Sequence, residues 1–200
     1  MNDTLLISVL GIGTYGTKAL HMIMDKMQKN DQDDTFITAP NSNEFAFYAI
    51  DNDKEVLNSS NAQDSLLLSD ELNQESLADQ QVEEKLRQMV GDSDFVILVS
   101  AVGGNTSSMV IAAVADRLNA MKIPMAAVVV KPFDFEGQKR INNAEIAISK
   151  LEKLVTTLKV LDNNEVIAKT DNLPLKQLLA EADSELVEFV LSFSEKHFIA

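Results

Sequence analysis

Two apolar runs in this chain each end in a glycine-rich turn and lead straight into a helical pattern. The first run is Leu5-Leu6-Ile7-Ser8-Val9-Leu10, followed by Gly11-Ile12-Gly13-Thr14-Tyr15-Gly16. The second is Phe95-Val96-Ile97-Leu98-Val99-Ser100, followed shortly by Gly103-Gly104-Asn105-Thr106-Ser107-Ser108. Apolar runs without polar alternation suit strands of a parallel sheet covered on both faces. Further strands are predicted over 45–50, 65–69, 125–130 and 158–161, with helices over 16–29, 53–59, 75–90, 106–120 and 137–155. A last helix is predicted over 175–195. Strands alternating with helices imply right-handed crossovers and an α/β, doubly wound, mostly parallel sheet in three layers, Rossmann-like, with predicted order 3-2-1-4-5-6. Its binding crevice lies at the carboxyl ends of the strands, where both glycine turns fall.

The 200 residues fit a single domain spanning 1–200. A formal charge of −14 disfavours nucleic acid and anionic membranes as partners, because both are bound through Lys and Arg. The chain has no cysteine, and its two histidines, His21 and His197, lack metal-ligand spacing. No catalytic constellation and no metal-ligand set emerges. A cytoplasmic protein is the expectation. The polar stretch from Gln28 to Asn43 lacks periodicity and reads as a solvated loop.

Glycine at a strand-to-helix turn lets backbone approach a ligand, and the helix start offers free N–H groups to an anion. Gly11, Gly13 and Gly16 match the dinucleotide fingerprint G-x-G-x-x-G, and Asp51 closes the second strand where an acid would meet a ribose. That reading points to an NAD(P)-binding enzyme. The 35 residues from Gly16 to Asp51 nevertheless exceed the usual spacing of about 20. The same glycines also suit a tight turn with close helix packing. In the second turn Asn105, Thr106 or Ser107 would serve equally well as a helix cap. Two phosphate-type turns in one domain are the feature that a dinucleotide enzyme leaves unexplained.

With Ala126-Ala127-Val128-Val129-Val130-Lys131-Pro132-Phe133-Asp134-Phe135-Glu136-Gly137 added to the second turn, the sequence resembles the FtsZ/tubulin superfamily of GTP-binding filament proteins. The resemblance runs from about Leu5 to Phe193 and is best from Asp94 to Ala147. It implies GTP or GDP as ligand, with Mg2+ near the phosphates, and a link to filament assembly or cell division. By the same resemblance Glu136 and Arg140 bind the ribose, although alone they would be an ordinary i, i+4 pair. Asn163 touches sugar and base, and Asp51-Asn52-Asp53 lies near phosphates and magnesium. Asp183 reads the guanine edge, since a carboxylate accepts from guanine N1–H and N2–H2 and adenine offers no such pair of donors. Leu179 stands where the family stacks an aromatic on the base.

The departures matter too. Thr14, Tyr15, Thr17 and Lys18 interrupt the first loop, so that Tyr15 would crowd the phosphates and Lys18 would neutralise them. Asn105, Ser107 and Met109 replace glycines in the signature loop. The acidic stretch Ser69–Gln80 lacks the family's third phosphate loop. The sequence as it stands ends at Ala200, before the loop and second domain that complete hydrolysis in the family. The expectation is therefore a guanine-nucleotide-binding module with little or no hydrolysis of its own. A degenerate domain that binds no nucleotide and acts through protein contacts is the alternative. The terminal helix carries an apolar stripe including Phe189, Val190 and Phe193. With one domain absent these three would be partly uncovered, which predicts a homodimer or an FtsZ-like filament partner.

Overall fold

The protein is described by a computed structural model that covers residues 4–32, 43–69, 79–165 and 174–193. The chain runs β1 (Leu6–Ile12), α1 (Gly13–Gln32), β2 (Glu44–Asp51), α2 (Lys54–Ser59), β3 (Asp64–Leu67), α3 (Gln80–Val90) and β4 (Phe95–Ala101). It continues with α4 (Asn105–Ala120), β5 (Met125–Lys131), a 3-10 turn (Asp134–Glu136), α5 (Gln138–Leu151), β6 (Thr157–Asp162) and α6 (Leu175–Ser192). The six strands form one sheet in the order β3-β2-β1-β4-β5-β6, and every neighbouring pair is parallel. This is the expected doubly wound α/β architecture.

The unbroken apolar runs are explained by cover on both faces. In β5, Met125, Ala127 and Val129 pack under α3, α4 and α5, whereas Ala126, Val128 and Val130 pack under α1, α2 and α6. β4 divides in the same way, with Val96 and Leu98 on the first face and Phe95, Ile97 and Val99 on the second. Side chains alternate along a strand, so a strand buried twice is apolar at nearly every position, and the buried Ser8 and Ser100 hydroxyls are hydrogen-bonded to Ser93 and the Ile12 carbonyl. No described helix is long and apolar enough to cross a membrane.

Three expectations change. α1 begins at Gly13 rather than at residue 16, and it runs to Gln32, into the stretch read as loop. Asn43, at the end of that stretch, is buried: its Oδ1 accepts from the Leu5 N–H at 3.1 Å and its Nδ2 donates to the Phe193 carbonyl at 3.0 Å. One side chain thus ties the start of β1 to the end of α6. Most of Ser69–Gln80 lies outside the described residues, as do 33–42 and the end of the helix predicted to residue 195.

The third change concerns the apolar stripe of α6. Val190 and Phe193 are fully buried, and Phe189 is half-buried. Phe193 stacks on Phe95 of β4 with ring centroids 5.4 Å apart, and Phe189 meets Phe193 edge-on at 5.4 Å. Val190 and Phe193 therefore pack on their own sheet, and of the three residues expected to be partly uncovered only Phe189 is.

Candidate nucleotide site

Strand order reverses between β1 and β4, and in a doubly wound sheet that reversal opens a crevice at the strands' carboxyl ends. The two glycine turns sit there side by side. A Cβ placed on Gly13 would lie 3.4 Å from that of Ser107, so the starts of α1 and α4 meet across the switch. Neither helix has an acidic residue in its first turn. Gly104, the residue before α4, supplies no side-chain cap, and the first intrahelical bond there runs from the Ser108 N–H to the Gly104 carbonyl at 3.2 Å. The first N–H groups of α4, those of Asn105, Thr106 and Ser107, have no acceptor within the helix. Capping by Asn105, Thr106 or Ser107 is therefore not what the second turn does.

The glycines divide into two kinds. Gly13 and Gly103 have φ of 76° and 118°, a region that side-chain-bearing residues avoid. Gly11 and Gly16 have packing reasons instead. A Cβ on Gly11 would fall 2.5 Å from the Gly16 carbonyl oxygen, and one on Gly16 would fall 2.4 Å from that of Val99. These two let α1 settle directly onto β1 and β4. Both are buried, and this close packing by itself requires glycine at each position. Thr14 is exposed on the first turn of α1.

Ser108 also changes role. It is buried, and its hydroxyl accepts from the Gly103 N–H at 2.8 Å, locking the turn from inside. Asn143 of α5, which sequence reasoning missed, donates to the Gly103 carbonyl at 3.2 Å and to Asn105 Oδ1 at 2.8 Å. Only tertiary placement joins these groups, 40 and 38 positions apart.

At the rim beyond β5, Glu136 and Arg140 pair at 3.0 Å, and Glu136 Oε1 accepts from the Phe133 N–H at 2.9 Å. Phe135 is 74 % exposed and stacks on Phe133. Asn163 is buried at the end of β6. Its neighbour Asn164, a second residue the sequence did not single out, accepts from the Asp134 N–H at 2.9 Å and donates to Asp162 at 2.8 Å. Burial pushes the Asp162 carboxyl up, but hydrogen bonds from Asn164 and the Lys131 ammonium at 3.2 Å outweigh it and hold it below the usual carboxylate range.

On the β2 side, Asp53 caps α2 by accepting from the Glu55 N–H at 2.8 Å. Asp51 Oδ1 accepts from the Asp53 N–H at 3.0 Å. The other oxygen, Asp51 Oδ2, is buried without a hydrogen-bond partner, and so is the Thr17 hydroxyl. A buried carboxylate oxygen without a donor is costly, so this position suits a cation or a ligand hydroxyl.

The base end departs most from expectation. Leu179, 39 % exposed, and Asp183 lie one turn apart on α6 and share a face. Asp183 is already engaged: Tyr15 Oη donates to its Oδ1 at 2.7 Å, and Lys18 Nζ lies 3.5 Å from its Oδ2. Tyr15 and Lys18 therefore turn toward Asp183 rather than away from α6. Burial, then the hydrogen bond and charge of Asp183, raise the Tyr15 phenol far above its ordinary value. A folded pKa above the unfolded one gives stability that is complete below about pH 10 and is lost progressively as pH rises from there toward the folded value. Urea midpoints taken from pH 8 to 11 are expected to fall more steeply for the parent than for Tyr15→Phe. Parallel curves would remove Tyr15 as the cause.

Two adjacent helix starts without acidic residues stand at the switch point, with the Glu136–Arg140 pair and the Asp183 carboxylate on the flanking elements. A family model described as "Tubulin/FtsZ family, GTPase domain" matches residues 6–171. The chain belongs to the Tubulin/FtsZ family. It is 28% identical to the cell division protein FtsZ of Haemophilus influenzae over 209 aligned residues, which cover 95% of this chain and 49% of that one. It is 32% identical to FtsZ 1 of Thermococcus kodakarensis over 116 residues, 56% of this chain and 30% of that one. The chain thus spans half or less of the length of these curated relatives. Among solved structures, an empty FtsZ dimer of M. jannaschii aligns with a TM-score of 0.78 at 23% identity, covering all of this chain and 58% of that one. A GTPgS-bound protofilament of CetZ2 from Haloferax volcanii aligns at 0.72 and 15% identity, over 98% of this chain and 60% of that one. At such identities the structural matches speak for the fold.

Proposed function

We propose that this Tubulin/FtsZ-family domain binds a guanine nucleotide, GDP or GTP, across the β1–β4 switch. The phosphates would rest on the N–H groups that open α1 and α4, flanked by Gly13, Thr14, Gly103, Gly104, Asn105, Thr106 and Ser107. Glu136, Arg140 and Asn163 would hold the sugar, and Leu179 and Asp183 the base. The partnerless Asp51 Oδ2 suits a Mg2+ ion or a ligand hydroxyl beside them. The observation that carries this reading is the pair of helix starts, adjacent and free of acidic residues, since one anion spanning both gains from two dipoles at once.

Little or no hydrolysis by the chain alone is part of the proposal, because attack by water needs a group to orient it. Asp53 is committed to capping α2, which leaves it poorly placed for that work. Filament or dimer partnership is supported by the relatives solved as a dimer and as a protofilament, and a link to cell division by the named FtsZ relatives.

The engaged state of Asp183 favours one rival reading, a domain that binds no nucleotide and works through protein contacts. A thermal-shift panel of GDP, GTP, ATP and NAD separates the two. Ligand at a hundred times its Kd adds about 2.7 kcal/mol, which for a domain of this size raises the midpoint by roughly 5 °C or more. GDP and GTP are expected to give that rise and ATP and NAD almost none. Four flat traces from folded protein would favour the rival, and a rise with NAD alone would restore a dinucleotide site.

A further inference from the structure

α4 and α5 pack side by side and are tied together at the Asn105–Asn143 contact. Between their later turns lies a groove of about 540 Å³. Met109, Ala112, Ala113 and Leu154 supply its apolar surface, and Arg117, Lys150 and Lys153 its charge, with Asp116 the one carboxylate among the lining residues. None of the three cations has an ion pair or side-chain hydrogen bond among the described residues. Six other described cations are held by carboxylates, and of the remaining ones these three converge on one groove. Ile146, one turn before Lys150 on the same flank of α5, is 59 % exposed. The groove thus joins an unpaired positive rim to an apolar floor, with an exposed isoleucine one helical turn away along α5.

We infer that this groove docks an acidic amphipathic peptide segment of a partner protein, its Leu- or Phe-type side chains on the floor and its carboxylates against Arg117, Lys150 and Lys153. Charge complementarity selects the sign of the occupant. The chain carries −14 overall, but at physiological salt charges beyond about 8 Å are screened, so the local rim decides the contact. The apolar floor selects against purely ionic ligands, because burying it is what adds affinity. A nucleic acid would bring many phosphates to a surface that elsewhere repels them, while neutralising only a few here. The arrangement matches a helix-in-groove mode read at three- and four-residue steps.

The test uses the full chain and a fluorescein-labelled peptide of about a dozen residues, with Leu and Phe at three- and four-residue steps among Glu and Asp. Fluorescence anisotropy is expected to show saturable binding, with a peptide carrying Ser for Leu and Phe at least about tenfold weaker. Arg117→Glu, Lys150→Glu and Lys153→Glu together should weaken binding by a similar factor. Ile146→Gln, a single exposed change that leaves the charges alone, should weaken it severalfold. Both variants should keep the parent's circular dichroism, melting midpoint and response to GDP, since none of these residues belongs to the nucleotide site. Absence of saturable binding, equal binding of the Ser peptide, or undiminished binding by both variants would overturn the inference. Two further results would overturn it by naming another occupant. Phosphatidylserine vesicles that bind the parent and compete the peptide away would make the groove a lipid surface. A dimer in sedimentation that the triple variant dissolves would make it a self-contact.

Discussion

Gly16→Ala is expected to destabilise the domain by about 3–5 kcal/mol, a large share of the roughly 5–15 kcal/mol a domain holds. The added methyl would lie 2.4 Å from the Val99 carbonyl oxygen and 2.9 Å from the Gly11 carbonyl carbon. Both obstacles are backbone atoms of central strands, so no side chain can rotate away to make room. α1 would have to lift off the sheet, breaking the packing of Ala19, Leu20 and Ile23 beneath it. Gly104→Ala is the matched control, because its Cβ would meet only the Ser107 hydroxyl at 3.1 Å, the end of a movable side chain. That variant is expected to keep its urea midpoint within about 0.5 kcal/mol of the parent. If Gly16→Ala unfolded at the parent's denaturant concentration, Gly16 would not be a packing residue and only its ligand-facing reading would remain.

The same pair shows where the sequence was legible. Strands buried on both faces are apolar at nearly every position, so β1, β4 and β5 could be read from their residues, with Ser8 and Ser100 admitted because their hydroxyls are hydrogen-bonded, and the glycine turns then marked where the sheet reverses. What those glycines do could not be read. A glycine that admits a neighbouring carbonyl and one that admits a phosphate look alike until the backbone is in place. Gly11 and Gly16 each have a carbonyl where a Cβ would stand, whereas Gly13 and Gly103 are set by positive φ, Gly103 with Pro132 and the Arg140 carbonyl packed beside it as well. Asn43 and Asn143 were illegible for another reason. Each serves contacts set by distant segments, and an isolated asparagine in a polar stretch carries no periodic signal. The stripe on α6 was read correctly as apolar but given the wrong cover. Phe193 needed Phe95, nearly a hundred residues earlier, to complete its stack.

The base end supplies the other large effect. If Asp183 reads guanine, GDP is expected to bind at least about tenfold tighter than ADP, and Asp183→Ala should erase that preference, worth about 1.4 kcal/mol. Micromolar affinity is expected, since Leu179 contacts a base without aromatic stacking. Tyr15 makes the sharper test, because its hydroxyl already occupies Asp183 Oδ1 at 2.7 Å from a position 168 residues away. A base that pairs with the same carboxylate must displace this donor or share it. Removing it with Tyr15→Phe leaves the carboxylate to Lys18 alone and opens one oxygen to guanine N1–H or N2–H2. GDP is then expected to bind about three- to tenfold tighter, while the unliganded domain loses about 1.5 kcal/mol for a charge-assisted hydrogen bond. The two readouts move in opposite directions, which general damage to the fold cannot imitate. Calorimetric titration with GDP and urea unfolding, run on parent and variant, measure both. Weaker GDP binding by Tyr15→Phe would mean that the hydroxyl holds Asp183 in place for the base, and Tyr15 would become a positioning residue of the site rather than its competitor.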